Sequence, residues 1–357
     1  MKKLFIIAII LMVTNRMLAQ TGPDYQLHLQ LVDESSVFES PDYYTWGGSP
    51  IKGNDGLYHL YYSRWEKKYG FMAWVTHSEI AHAVSKSPLG PYVFHDVVFP
   101  RREKQYWDGM NTHNPTVHFF NGKYYLYYTG NTGDDNNVVG QLNFLHRNNQ
   151  RLGVAVADSP YGPWKRFDKP VINVSADSTA PDALMMANPS ITQMKDGRYL
   201  MIYKGVAKKN PGIFGGPVVH LCAIAKSPLG PFKKILKPIF TVKDSPFPAE
   251  DPYIWLQGKY YYAIVKDFHG AFTHHGLSLA LFYSKNGIDW KPVNNCLLTV
   301  PEIHWKNGKV TKLKFLERPQ LLIEHGKPTA LFLAAHELED STNMGKANTF
   351  NVHIALK

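Results

Sequence analysis

Runs of alternating apolar and polar residues recur along the chain, and five of them follow a proline and end at a glycine turn. The prolines are Pro50, Pro115, Pro189, Pro252 and Pro319, and the turns carry Gly56, Gly122, Gly197, Gly258 and Gly326. A second run follows each turn and is rich in aromatic residues in the first four copies: 57–62, 123–128, 198–203 and 259–265. Alternation with period two reads as half-buried strands. The copies lie between sixty and seventy-five residues apart. A fixed unit at such a period predicts a repeat architecture. No run carries the 3.6-residue apolar period of a helix.

Each repeat reads as four strands. The first follows the proline and the second follows the glycine turn. The third ends in small residues and a turn: Pro88 to Pro91, Pro160 to Pro163, Pro228 to Pro231, and the variant Lys285-Asn286-Gly287. Proline fixes φ and glycine tolerates positive φ, so both suit tight turns. The fourth strand opens with an aromatic residue: Tyr92, Trp164, Phe232 or Trp290. The fifth repeat stops after the run 350–356, with no such turn and no fourth strand. An alternating run at 26–32 belongs to no repeat. Together these predict an all-β five-bladed β-propeller whose last blade is closed by the N-terminal strand. Radial closure also hides sheet edges that an open array would expose.

The first residues are basic, 4–13 are apolar, and Leu18-Ala19-Gln20 offers a small-residue cleavage site. This predicts a secretory signal peptide at 1–20 and a single catalytic propeller domain at 21–357, secreted or periplasmic. No other apolar run is long enough to cross a bilayer. The net charge of +10 is spread along the chain. No basic run resembles a nucleic-acid patch, and an anionic carbohydrate suits such a surface better. The two cysteines, Cys222 and Cys296, lie far apart and form no metal-type pair. No cofactor is expected. One loop carries His269, His274 and His275, but one loop cannot show converging ligands, so no metal is expected either.

Strand alternation places the loops entering each first strand and those leaving each second strand on one face. The entering loops bring Trp46, Asp108, His113, Asn114, Asp182, Asn188, Glu250, Asp251, Glu317 and Arg318. The leaving loops bring Arg64, Lys204, Lys266, Asp267, His269 and His336. Neighbouring strand residues point to opposite faces, so only one of Glu250 and Asp251 is expected to face a substrate. Such a mouth suits an oligosaccharide. Carboxylates do acid/base work on a glycosidic bond, aromatic rings stack on sugar faces, and Asn, Arg and His bond hydroxyls.

The five repeats, the acidic residue before Pro252 and the secretory start resemble the glycoside hydrolase family 43 and family 117 propellers, an architecture shared by families 32 and 130. The resemblance covers residues 25 to 357. It implies an exo-acting hydrolase with an inverting acid/base mechanism and with Glu250 as the blade-four acid. Family 43 also carries a base Asp on blade one and a pKa-tuning Asp on blade three. Here Ser49 and Asn188 stand at those places, so the base is expected from another loop: Asp108 first, then Asp182, then Glu317. The substrate-binding set is Trp46, Arg64, His113, Asn114, Asn188, Lys204, Asp251, Asp267, His269, Arg318 and His336. Two rival readings are a non-catalytic carbohydrate-binding propeller and a glycoside phosphorylase holding phosphate with Arg64, Lys204, Lys266 or Arg318.

Overall fold

The computed structural model describes residues 22–339 and 347–357. The expected signal segment therefore lies outside the described residues. Strand β1 (Val37–Phe38) precedes the first blade, formed by β2 (Tyr43–Lys52), β3 (Tyr58–Glu66), β4 (Glu79–Ser85) and β5 (Val93–Phe99). Blade 2 holds β6 (Asn111–Phe120), β7 (Lys123–Asn131) and β8 (Arg151–Ala157), with a short helix, Phe144–Asn148, between the last two. Blade 3 holds β9 (Met185–Gln193), β10 (Tyr199–Val206), β11 (Val218–Ala225) and β12 (Lys233–Ile239). Blade 4 holds β13 (Ala249–Gln257), β14 (Tyr260–Asp267), β15 (Ser278–Ser284) and β16 (Trp290–Thr299). Blade 5 holds β17 (Glu302–His304), β18 (Val310–Glu324), β19 (Lys327–Glu337) and β20 (Thr349–Ala355). The chain thus forms the expected five-bladed β-propeller.

The core lies between blades. Tyr127 and Leu152 of blade 2 pack with Ile191 and Tyr203 of blade 3. Leu200 and Cys222 of blade 3 pack with Ile254 and Phe282 of blade 4. Tyr253 and Ile264 of blade 4 pack with Leu321 and Leu331 of blade 5. Blade 1 closes the circle, with Leu60 and Tyr62 against Leu322 and Phe332. Alternation supplies both faces of every sheet, which is why the second strands, β3, β7, β10, β14 and β19, bury most of their length.

The N-terminal segment closes the last blade, as expected, but its ladder is centred downstream of the run at 26–32. β1 pairs with β20 through Val37–Val352 and Phe38–Asn351. The run at 26–32 continues along the same edge only as a Leu29–Leu356 bridge, and Val32 bridges to Trp305. A 3₁₀ turn at Glu34–Ser36, capped by Asp33, separates the two parts. Blade 2 also departs from expectation, because its fourth strand is reduced to two bridges, Val156–Lys165 and Leu152–Ile172. The Phe167 carbonyl there accepts from Trp107 Nε1 and Arg102 Nη2 rather than from a ladder.

Every first strand carries a two-residue bulge near its start. The register breaks between Trp46 and Ser49, His113 and Thr116, Glu250 and Tyr253, and Glu317 and Gln320, and blade 3 breaks opposite Asn188. The first bulged residue takes a left-handed backbone in all five: Gly47, Asn114, Asn188, Asp251 and Arg318 have φ of 61°, 53°, 55°, 53° and 54°. This register corrects the sequence alignment of blade 1. Gly47, not Ser49, is the counterpart of Asn188 and Asp251, and Trp46 is the counterpart of Glu250.

Candidate active site

The bulges build two rings of side chains about the axis. Trp46, His113, Glu250 and Glu317 stand just before the bulge, and Asn114, Asn188, Asp251 and Arg318 stand on it. A bulge places two successive residues toward one side. Glu250 and Asp251 therefore both line the same cavity, against the expectation that only one would. The bulge residues form a hydrogen-bonded chain. Asn114 Nδ2 donates to Asn188 Oδ1 at 2.7 Å, and Asn188 Nδ2 donates to Asp251 Oδ1 at 2.6 Å. Arg318 Nη1 donates to the same Asp251 oxygen at 3.0 Å. Below them, Ser49 and Thr116 both donate to Gln320 Oε1 at 3.1 Å and close the floor.

The cavity above this floor measures about 160 Å³. Trp46, Trp65, Phe71 and Trp74 form an aromatic wall, and His113, Gln150 and Lys204 complete the polar side. Phe71 packs edge-on against Trp46 at 5.5 Å, and Trp74 against His113 at 5.2 Å. His113 is held between Asn111 and Gln150, and burial pushes its pKa down to about 3.

Charge concentrates on one side. Lys204 Nζ lies 2.6 Å from Glu250 Oε1, and Lys266 Nζ lies 3.2 Å from Glu250 Oε2. Lys266 also ion-pairs with Glu317. Burial alone would raise both carboxyls. At Glu250 the two ammonium groups outweigh burial and hold its pKa well below the usual carboxylate range. At Glu317 burial prevails, helped by the charges of Asp251 and Glu250, and the pKa rises to about 7 despite Lys266. Burial opposes the charge on Lys266 itself, but Glu317, Glu250 and Asp251 together keep it protonated. Environments that push two carboxyl pKa values apart are how one site supplies both an acid and an ionised partner.

Other expected residues lie elsewhere. Asp108, ranked first as base, has a fully buried carboxylate clamped by Arg102 and Arg166 and bonded by Tyr128 at 2.6 Å. Asp182 is equally buried, with its Oδ2 on Lys234 and Tyr203. Neither lines the cavity, because each sits well upstream of its bulge and turns back into its own blade. Arg64 binds Glu79 and stacks on Tyr43 and Phe94 instead. Asp267 caps the following loop through the amides of Ala271, Phe272 and Thr273. His269 is exposed beside Phe268. His336 bonds the Glu337 carbonyl and supports Phe71 from behind.

The sequence reading missed Phe71, Trp74 and Gln150. The first two sit in the long connection between β3 and β4, and Gln150 just before β8. Length was the available signal, since these connections after the second strand are far longer than the glycine turns on the opposite face.

No protein-family model matches the chain, and no curated protein does. Solved structures do. The chain is similar to a family 117 glycoside hydrolase of the marine bacterium Zobellia galactanivorans, with 19% identity over 92% of this chain and 90% of that one and a TM-score of 0.61. It is similar to a family 43 β-xylosidase/α-arabinofuranosidase from a compost microbial metagenome, with 16% identity, 93% and 95% coverage and a TM-score of 0.56. It is also similar to an arabinanase of Bacillus subtilis, with 17% identity, 87% and 96% coverage and a TM-score of 0.52. At these identities the likeness is one of fold.

Proposed function

We propose that the chain is a secreted, exo-acting glycoside hydrolase whose acid is Glu317 and whose ionised partner is Glu250. One observation carries this reading: the two carboxyls meet across Lys266 in an aromatic-walled cavity with opposite proton affinities. The roles are exchanged relative to the sequence expectation, because two lysines make Glu250 a poor proton donor. Both carboxylates contact one ammonium nitrogen, so their nearest oxygens lie within about 6 Å. An inverting pair leaves ~6.5–9.5 Å for its water, whereas a retaining pair stands ~5–5.5 Å apart. The geometry therefore favours a double displacement over the inversion expected. Glu250 attacks the anomeric carbon while Glu317 protonates the departing oxygen. Water then cleaves the glycosyl–Glu250 ester, with Glu317 taking its proton.

The closed floor and small volume suit a terminal sugar and hence exo action. Asn114, Asn188 and Asp251 are placed to bond its hydroxyls, and Trp74 and Phe71 to face its ring. Arg318 speaks for an anionic sugar. Its Nη1 is taken by Asp251, while Nε and Nη2, which share the other edge of the guanidinium, are buried with no hydrogen-bond partner among the described residues. That edge matches a carboxylate bidentately, as on a uronic acid.

The test is incubation with neutral and uronate-bearing oligosaccharides, following released monosaccharide and the first-formed anomer by NMR. Release with retention from a uronate chain end is expected. Binding without release would replace this reading with a non-catalytic propeller. Strictly phosphate-dependent release would instead assign the Arg318 edge to phosphate and the chain to the phosphorylases.

A further inference from the structure

We propose that blade 1 carries a divalent transition-metal site formed by His82, His95 and Asp96, on strands that take no part in the cavity. His82 lies on β4 and is buried, while His95 and Asp96 lie on β5 with side chains about half exposed. Adjacent residues of a regular strand would point to opposite faces. Here the register breaks, with Asp96 opposite His82 and Phe94 opposite Ala83, so that His95 is the extra residue of a bulge. The bulge turns His95 and Asp96 to one side. Nδ1 of His82 and Nδ1 of His95 each lie 3.2 Å from Asp96 Oδ1. One ligand atom from each of the three residues lies within 4.8 Å of the others.

A count of protons gives independent support. Asp55, His59, His82 and Asp96 form a chain with three contacts. His59 Nε2 meets Asp55 Oδ1 at 3.1 Å, His59 Nδ1 meets His82 Nε2 at 2.8 Å, and His82 Nδ1 meets Asp96 Oδ1 at 3.2 Å. Each contact joins two lone-pair atoms and needs a proton or a cation between them. Two neutral imidazoles bring two protons, one too few. A cation on His82 Nδ1 and Asp96 completes the chain. His82 Nε2–H then donates to His59, and His59 Nε2–H donates to Asp55, whose other oxygen accepts from Tyr161 at 3.1 Å. A carboxylate that orients a ligating imidazole through a hydrogen bond is the usual support of a metal histidine, here extended by one more ring.

Two imidazoles, one carboxylate and a solvent-facing side suit a tetrahedral zinc-type ion with water as fourth ligand, rather than calcium or magnesium. Such an ion would tie β5 to β4 and, through Asp55 and Tyr161, to the turn that follows β8 in blade 2. The test uses the whole chain without an affinity tag, stripped by a chelator and titrated with Co²⁺. One equivalent should bind with the visible bands of a tetrahedral site and be displaced by Zn²⁺. His95→Ala and Asp96→Asn, both at half-exposed positions, should abolish the bands, and Asp55→Asn should weaken binding ~10–100-fold. Absence of a saturable one-equivalent signal would overturn the site. So would an unchanged titration in His95→Ala and Asp96→Asn.

Discussion

Glu250 and Glu317 are the same chemical group on equivalent positions of adjacent blades, yet they end with opposite proton affinities. The difference is the number of ammonium groups each can reach. Glu250 meets two and Glu317 shares one. In the proposed role of general acid, Glu317 should lose ~10²–10⁴ in turnover when changed to Gln. A Glu317→Gln enzyme with near wild-type kcat would move the acid elsewhere. The same residue predicts a stability profile. Its folded pKa of about 7 lies above its ordinary 4.5, so folding favours the protonated form. That contribution is complete below pH 4.5 and is lost as pH rises through 7. Thermal melts should show this loss across that window in the wild type and a flatter profile in Glu317→Gln. Asp108 predicts a different outcome. Changing it to Asn leaves two guanidinium groups short of a buried partner and should cost ~3–5 kcal/mol of stability. Turnover per folded molecule should be unchanged, which chemical denaturation and active-site titration would separate.

At the level of single elements, the bulge in each first strand does most to make a site. It lets two consecutive side chains face the axis, and it demands a left-handed residue. Gly, Asn and Asp accept that conformation readily, and they fill four of the five positions. Arg318 does not, and its φ of 54° stores strain at the position that faces the cavity. The long connection between β3 and β4 is the second device, since it carries Phe71 and Trp74 over the mouth. The closing strand is the third. Phe38 of β1 packs edge-on against Tyr62 at 4.9 Å, in the core between blades 1 and 5. Phe38→Ala should therefore lower stability by ~3–5 kcal/mol, read as a shifted denaturation midpoint. An unchanged midpoint would mean that β20 needs no closing partner.

Across the whole molecule, five sheets share their cores only with neighbours, and the axis collects one bulge from each. Residues as distant in sequence as Asn114 and Arg318 thereby join one hydrogen-bonded chain. Blade 2 can lose its fourth strand because Asp108 holds the replacing segment through Arg166. The carboxylates of Asp108 and Asp182, ranked as bases from the sequence, are thus held in buried ion pairs outside the cavity.

The sequence by itself determined the five blades and their closure into a ring, because alternation and turn chemistry are local and repeat five times. It also brought Glu250, Glu317, Asn114, Asn188, Asp251 and Arg318 to notice, since each adjoins a repeated proline. Which of two neighbouring carboxyls faces the axis was not legible. A bulge changes side-chain direction without changing the apolar pattern. The equivalence of Gly47 with the bulge residues was hidden for a related reason, since Pro50 lies three residues beyond Gly47 while the other prolines directly follow theirs. Proton affinities and the fate of Asp108 were decided only by tertiary structure. They depend on Lys204 and Lys266, 46 and 16 residues from Glu250, and on Arg166, 58 residues from Asp108, and those separations fall to a few ångströms only once the chain has folded.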